Sequence, residues 1–178
     1  MIDSAGSHVR LRPVEVADAP FILRLRLSPR GRYLSPIEDD LHGQEEWIRK
    51  YKSREAAREE YYFIISHKTA GDVGAIRVYD IVGSAFCWGS WILKEDAPRL
   101  TALESVVLLF EWCFFRLHLT CARCVVRKGN QASLEFNRRF GARITGEDER
   151  SVFFEMTRDE YVDTRQQLER QGVINLSP

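Results

Sequence analysis

Apolar and polar positions along the chain recur with two different periods, and the switches between them divide it into elements. Residues 9–13 (Val-Arg-Leu-Arg-Pro) alternate with the period of a strand. A helix is expected from Asp18, a suitable N-cap with Pro20 in the first turn, to about Leu27. Residues 28–36 contain Pro29, Gly31 and Pro36 and read as a loop. Trp47, Ile48 and Tyr51 then fall on one face of a second helix over residues 44–58. Residues 61–66, 73–79 and 86–93 are runs of β-branched and aromatic side chains. With turn segments between them they read as an antiparallel meander, Asp80 ending the middle strand. After a loop at 94–100, residues 101–117 form a long apolar helix. Residues 121–127 form another strand, and residues 130–140 a helix stopped by Gly141. Two short strands, 142–146 and 151–156, follow around a polar turn. Thr157 with Glu160 is a capping box that opens a last, partly exposed helix.

This order predicts one α/β (α+β) domain spanning residues 1–178, with a core over 9–156 and a C-terminal helix over about 158–170. The 178 residues are enough for one sizeable core. Charge changes the picture only locally. The 26 basic and 26 acidic residues cancel, which removes any bulk attraction to nucleic acid or membrane. Six arginines nevertheless crowd positions 10–32. The apolar run at 106–115 is interrupted by Glu111 and is too short to span a bilayer. Glu104 and Glu111 share a helix face, where they are expected to meet solvent or arginines. The first residues carry no apolar leader, and a cytoplasmic protein is expected. All four cysteines lie in apolar elements, consistent with reduced thiols. Cys121-x-x-Cys124 reads as packing in a strand, and no metal site is expected.

A strand that ends at the start of a helix presents free N–H groups to an anion. Residues 86–142 do this twice, at Arg99–Leu100–Thr101–Ala102 and at Asn130, which is followed by Ser133 and Phe136 on the same helix. This segment and the overall order β, α, α, β, β, β, α, β, α, β, β resemble the GNAT superfamily of N-acetyltransferases. Within it the chain looks closest to ribosomal-protein N-terminal acetyltransferases and to relatives acting on amino-sugar nucleotides. The resemblance implies a mostly antiparallel, twisted sheet of about seven strands whose fourth and fifth strands (86–93 and 121–127) splay apart around acetyl-CoA. It implies that Trp91, Ile92 and Leu93 lie along the thioester arm. Arg99, Leu100, Thr101 and Ala102 would hold the pyrophosphate, and Asn130, Ser133 and Phe136 the pantetheine. The family has two glycines in the pyrophosphate loop; Pro98 and Leu100 stand at those positions here.

Amide formation from a thioester requires a free amine, positioning, and stabilisation of the developing charges. Many members use a helix-borne Tyr as acid for the leaving thiolate; Asn137 matches that position and can donate a hydrogen bond to sulfur but cannot transfer a proton at neutral pH. Some place a Glu base where Val125 stands. Asp80 remains as a residue that could face the acceptor, and no indispensable base is expected. Cys87 reads as packing. Trp88 and Trp91 have opposite strand parity, so one should wall the acceptor pocket and the other join the core. The acceptor side is assigned to Arg30, Arg32, Tyr33, Trp47, Tyr79 and Trp88. The implied reaction is acetylation of a small amine, such as an amino-sugar nucleotide. Peptide N-termini are the alternative acceptor, a non-catalytic acyl-CoA-binding module is the alternative of another class, and a homodimer is left open.

Overall fold

The computed structural model describes Ile2 and residues 7–175. It contains β1 (Val9–Pro13), α1 (Ala19–Leu27), a 3-10 turn (Pro29–Tyr33), α2 (Leu41–Ala56), β2 (Tyr61–His67), β3 (Gly71–Val82) and β4 (Ala85–Leu93). Then come α3 (Thr101–Glu111), β5 (Cys121–Arg127), α4 (Gln131–Arg139), β6 (Arg143–Glu147), β7 (Ser151–Thr157) and α5 (Arg158–Arg170). The strands form one seven-stranded sheet in the order β1-β2-β3-β4-β5-β7-β6. Every pair is antiparallel except β4 with β5.

Both faces of the sheet are packed, but unequally. One face carries α3 with α4 and α5, and its core includes Phe86, Trp88, Phe110, Phe114, Phe154 and Tyr161. The other face carries α1 and α2 over β2, β3 and the end of β4, through Ile22, Leu25, Ile48, Tyr51, Tyr62, Ile64 and Ile92. The apolar stripe of α3 is wide enough to bury Val106 to Phe110 completely.

Four local departures from the period-based reading have physical causes. Asp18 does not cap α1 with its side chain. Its carboxylate instead takes two hydrogen bonds from Arg12, at 2.8 and 2.7 Å, and one from the Glu15 N–H at 2.8 Å. Asp80 does not end a strand; β3 continues to Val82 and bulges at Asp80, which has a φ of 48°. The helix expected to run to Leu117 changes at Trp112 to a π-helical turn, Trp112–Arg116. Trp112, Cys113, Phe114 and Phe115 are four consecutive apolar residues, three of them aromatic. The wider turn buries Cys113 and Phe114 and leaves Phe115 exposed. Glu104, expected at solvent, is buried on α3 and accepts hydrogen bonds from Ser7 Oγ and the N–H groups of His8 and Val9. It satisfies the backbone that leads into β1.

Candidate active site

β4 and β5 pair over three residue pairs only: Ala85↔Cys121, Phe86↔Ala122 and Cys87↔Arg123. β5 goes on pairing with β7 as far as Arg127↔Ser151. The separation originates in β4. Ala75 pairs with Ile92 and Arg77 with Gly89, so three steps along β4 oppose two along β3. Ser90 absorbs the extra residue with a φ of 45°. A bulge of this kind bends and twists its strand. The facing edges of β4 and β5 then lack ladder partners and border a cleft lined by Tyr33, Gly89, Ser90, Trp91, Val126 and Asn130.

The same bulge corrects the expectation for the tryptophans. One inserted residue cancels their opposite parity, and both face the α3 side. Trp88 is 4 % exposed and packs on Phe110 in the core, and its remaining surface lines the cleft. Trp91 lies 5.7 Å from Trp88 and 4.6 Å from Phe136, ring centre to ring centre. Its indole Nε1 is buried and has no hydrogen-bond partner among the described residues. Ile92 is buried in the other core, under α1 and α2, and Leu93 is half-buried against the first.

At the start of α3, Leu100 occupies the left-handed region with a φ of 70°. It thus adopts the conformation that glycine adopts at no steric cost. No side chain caps α3. The Thr101 N–H binds the Pro98 carbonyl at 3.2 Å, and the next two N–H groups, of Ala102 and Leu103, remain free at the positive end of the helix dipole. Thr101 Oγ1 is buried without a partner. Two free N–H groups and an orphaned hydroxyl at a helix start fit a phosphate ligand. Arg99 and Leu100 are exposed beside them.

Asn130 caps α4 by accepting the Ser133 N–H at 3.2 Å. Asn137, 2 % exposed, is held at both ends of its amide: Nδ2 donates to the Ser133 carbonyl at 2.9 Å, and Oδ1 accepts from Cys124 Sγ at 3.2 Å. Ser133 and Asn137 reach the cleft. Phe136 stacks on Phe140 next to Trp91.

The residues assigned to the acceptor side divide into three groups. Tyr33 reaches the cleft from the 3-10 turn, its Cε1 3.4 Å from where a Cβ on Gly129 would lie. Arg32 donates to Tyr33 Oη at 2.7 Å. Arg30 diverges from them toward the loop after β4, where it meets the Lys94 carbonyl at 3.4 Å. Trp47 and Tyr79 form a third group on the α1–α2 side, joined by a residue that the sequence reading missed. The Arg77 guanidinium sits 5.2 Å from the Trp47 ring and 5.1 Å from the Tyr79 ring, and pairs with Glu60, itself 5 % exposed. A charged residue in the middle of an apolar strand was the available signal. Tyr79 Oη lies 3.0 Å from the position of a Cβ on Gly89, so the phenol packs against β4 where a larger residue would crowd it. Asp80 is exposed, on the bulge beside it.

Burial raises the pKa of the cysteine thiols. It pushes Cys124 up to about 12, and it raises Cys87, with a further contribution from Asp80. These thiols stay protonated near neutrality and are poor nucleophiles. Among the described residues no group of three or more acidic, His or Cys side chains could hold a metal ion.

A wedge with unpaired strand edges, an uncapped helix start and an asparagine cap at its mouth suits an extended, phosphate-bearing thioester. The chain belongs to the GNAT acetyltransferases: the family model described as an acetyltransferase (GNAT) domain matches residues 8–143. Acetyl-CoA is the acetyl donor of this family, and the orphaned Thr101 hydroxyl and free α3 N–H groups fit its pyrophosphate. Among solved structures, FdhC, a nucleotide-linked sugar GNAT without ligand, is 34 % identical over 96 % of this chain and 98 % of FdhC, with a TM-score of 0.84. RimJ from Mycobacterium smegmatis, in complex with CoA-disulfide, is 16 % identical over 95 % of this chain and 91 % of RimJ, with a TM-score of 0.79. The ribosomal-protein-S5-alanine acetyltransferase of Vibrio fischeri is 16 % identical over 87 % of this chain and 96 % of its own, with a TM-score of 0.74. The last two establish a shared fold. No curated protein matches the chain.

Proposed function

We propose that this enzyme transfers the acetyl group of acetyl-CoA to a primary amine on a sugar nucleotide, by direct attack within a ternary complex. The 34 % identity to a nucleotide-linked sugar GNAT, over nearly the full length of both chains, carries this reading. Peptide N-termini are the weaker alternative, because 16 % identity to a ribosomal-protein acetyltransferase supports the fold alone. A non-catalytic acyl-CoA module is disfavoured, because the family model that matches the chain is that of an acetyltransferase. Residues 9–156 form the transferase core in this reading, and the free thiols suit a reducing cytoplasm. Among the described residues no helix is long and apolar enough to cross a membrane.

In this assignment the Ala102 and Leu103 N–H groups and Thr101 Oγ1 bind the pyrophosphate. Asn130 and the unpaired edge of β4 hold the pantetheine arm. A free N–H on the bulged part of β4 stabilises the oxyanion. Thiols that stay protonated argue against an acyl-cysteine route, which leaves attack by the amine itself. Water takes the proton of the amine, and Asp80 is the side chain assigned to guide it. Arg32 and Tyr33, at the cleft mouth, meet the anionic part of the acceptor, since guanidinium grips phosphate oxygens in pairs. Steady-state kinetics of Arg32→Ala test this: the acceptor KM should rise about tenfold or more while that of acetyl-CoA stays unchanged. Efficient acetylation of uncharged peptide N-termini, untouched by the substitution and without turnover of amino-sugar nucleotides, would rule it out.

A further inference from the structure

The leaving thiolate needs a donor, and the position that supplies one in relatives of this fold is taken by Asn137, whose amide is bonded at both ends inside the protein. A phenol lies against β4 from the α1–α2 face of the sheet, at Gly89, which itself lines the cleft. Tyr79 Oη has no hydrogen-bond partner among the described residues, and it packs against β4 at Gly89, one residue before the bulge that opens the cleft. Its ring is fixed from behind by Arg77, which Glu60 and Trp47 hold in turn. We propose that Tyr79 is the catalytic acid of this enzyme, donating from β3 to the coenzyme sulfur in place of a helix-borne tyrosine.

The amine nitrogen bonds to the thioester carbon, and the carbon–sulfur bond breaks with its electron pair on sulfur. Tyr79 Oη gives its proton to that sulfur. The phenolate recovers a proton from the nitrogen through water, leaving amide and free thiol with the enzyme unchanged. Burial raises the Tyr79 pKa, and the nearby Cys87 thiol and Asp80 add to it, so the phenol is protonated and ready as a donor throughout the neutral range. The inference also explains Gly89: any side chain there would meet the hydroxyl at 3.0 Å.

The inference rests on the acetyltransferase reading, but its decisive readout needs no acceptor. A phenol aimed at sulfur stabilises the thiolate, so CoA bound to the wild type should ionise at lower pH than CoA bound to Tyr79→Phe. That variant keeps the ring and its contact with Arg77. Titration of the bound thiol by its ultraviolet absorbance should show a difference of about one pH unit, a tenfold change in the ionisation constant. The kcat of Tyr79→Phe should fall about tenfold to a hundredfold, with both KM values nearly unchanged. Gly89→Ala, which displaces the hydroxyl without removing it, should shift the bound thiol in the same direction and serves if Tyr79→Phe does not fold. Equal thiol ionisation in the wild type and the variants overturns the inference. So does a shift produced by Tyr33→Phe instead, the phenol that lines the cleft. Failure of the wild type to bind CoA overturns the acetyltransferase reading, and this inference with it.

Discussion

Leucine at position 100 has a φ of 70°, and this makes an unusual order of variant stabilities. An L-residue in the left-handed region costs roughly 1–2 kcal/mol, which glycine avoids. Glycine pays instead about 0.5–1 kcal/mol in chain entropy relative to alanine. Leu100 is 39 % exposed, so truncating it removes somewhat more than half of the roughly 1.5–3 kcal/mol that full burial of a leucine is worth. Both Leu100→Ala and Leu100→Gly lose that contact. Only Leu100→Gly relieves the backbone. Leu100→Gly should therefore be more stable than Leu100→Ala by about 0.5–1 kcal/mol, whereas at an ordinary position alanine is favoured by a similar amount. Urea denaturation of the three proteins measures this directly. Calorimetry should show CoA binding to Leu100→Gly at least as tightly as to the wild type, because the α3 N–H groups keep their orientation. A Leu100→Ala protein more stable than Leu100→Gly would refute the strained conformation and the phosphate-loop geometry built on it.

Other perturbations follow from the same contacts. In Gly31→Ala the new Cβ would lie 1.9 Å from the Arg26 carbonyl oxygen, so the 3-10 turn must shift. The acceptor KM should rise while that of acetyl-CoA holds, as initial-rate kinetics will show. Asn130→Ala removes the α4 cap, costing about 1 kcal/mol in urea denaturation, and should also weaken CoA binding in calorimetry. Hydrogen bonding from Arg123 lowers the Glu155 pKa in the folded state below its usual value of 4.5. The stability it contributes is complete above the unfolded pKa and is lost as pH falls through the lowered folded value. Urea midpoints measured from about pH 6 to pH 3 should therefore decline less steeply for Glu155→Gln than for the wild type.

The elements and their order were legible because period, caps and turn residues agree along most of the chain. The fold class followed from that order. Insertions within strands were not legible. An extra residue at Ser90 or Asp80 leaves the local composition of a strand intact while changing which side chains share a face. That is why Trp88 and Trp91 appeared to face opposite sides of the sheet. The π-helical turn after α3 was hidden for a related reason: a run of four apolar residues has no phase from which a widened turn can be read. At the site, Asn130 and the start of α3 lie at helix ends, which sequence marks well. The Arg77 stack depends on Trp47 and Glu60, residues distant in the chain that only the fold brings together. Arg30 and Arg32 looked alike in sequence, yet the 3-10 turn sends them to different neighbours.

The most direct test of the central claim is a mass-resolved turnover assay. The purified enzyme, acetyl-CoA and a set of nucleoside-diphosphate amino sugars are incubated at neutral pH, with peptide N-termini and spermidine in parallel. The account predicts that at least one sugar nucleotide gains a single acetyl group on its amine, with one equivalent of free CoA thiol released and saturation in both substrates. Acetylation confined to peptides or spermidine, or no CoA release above background hydrolysis with any sugar nucleotide, would contradict it.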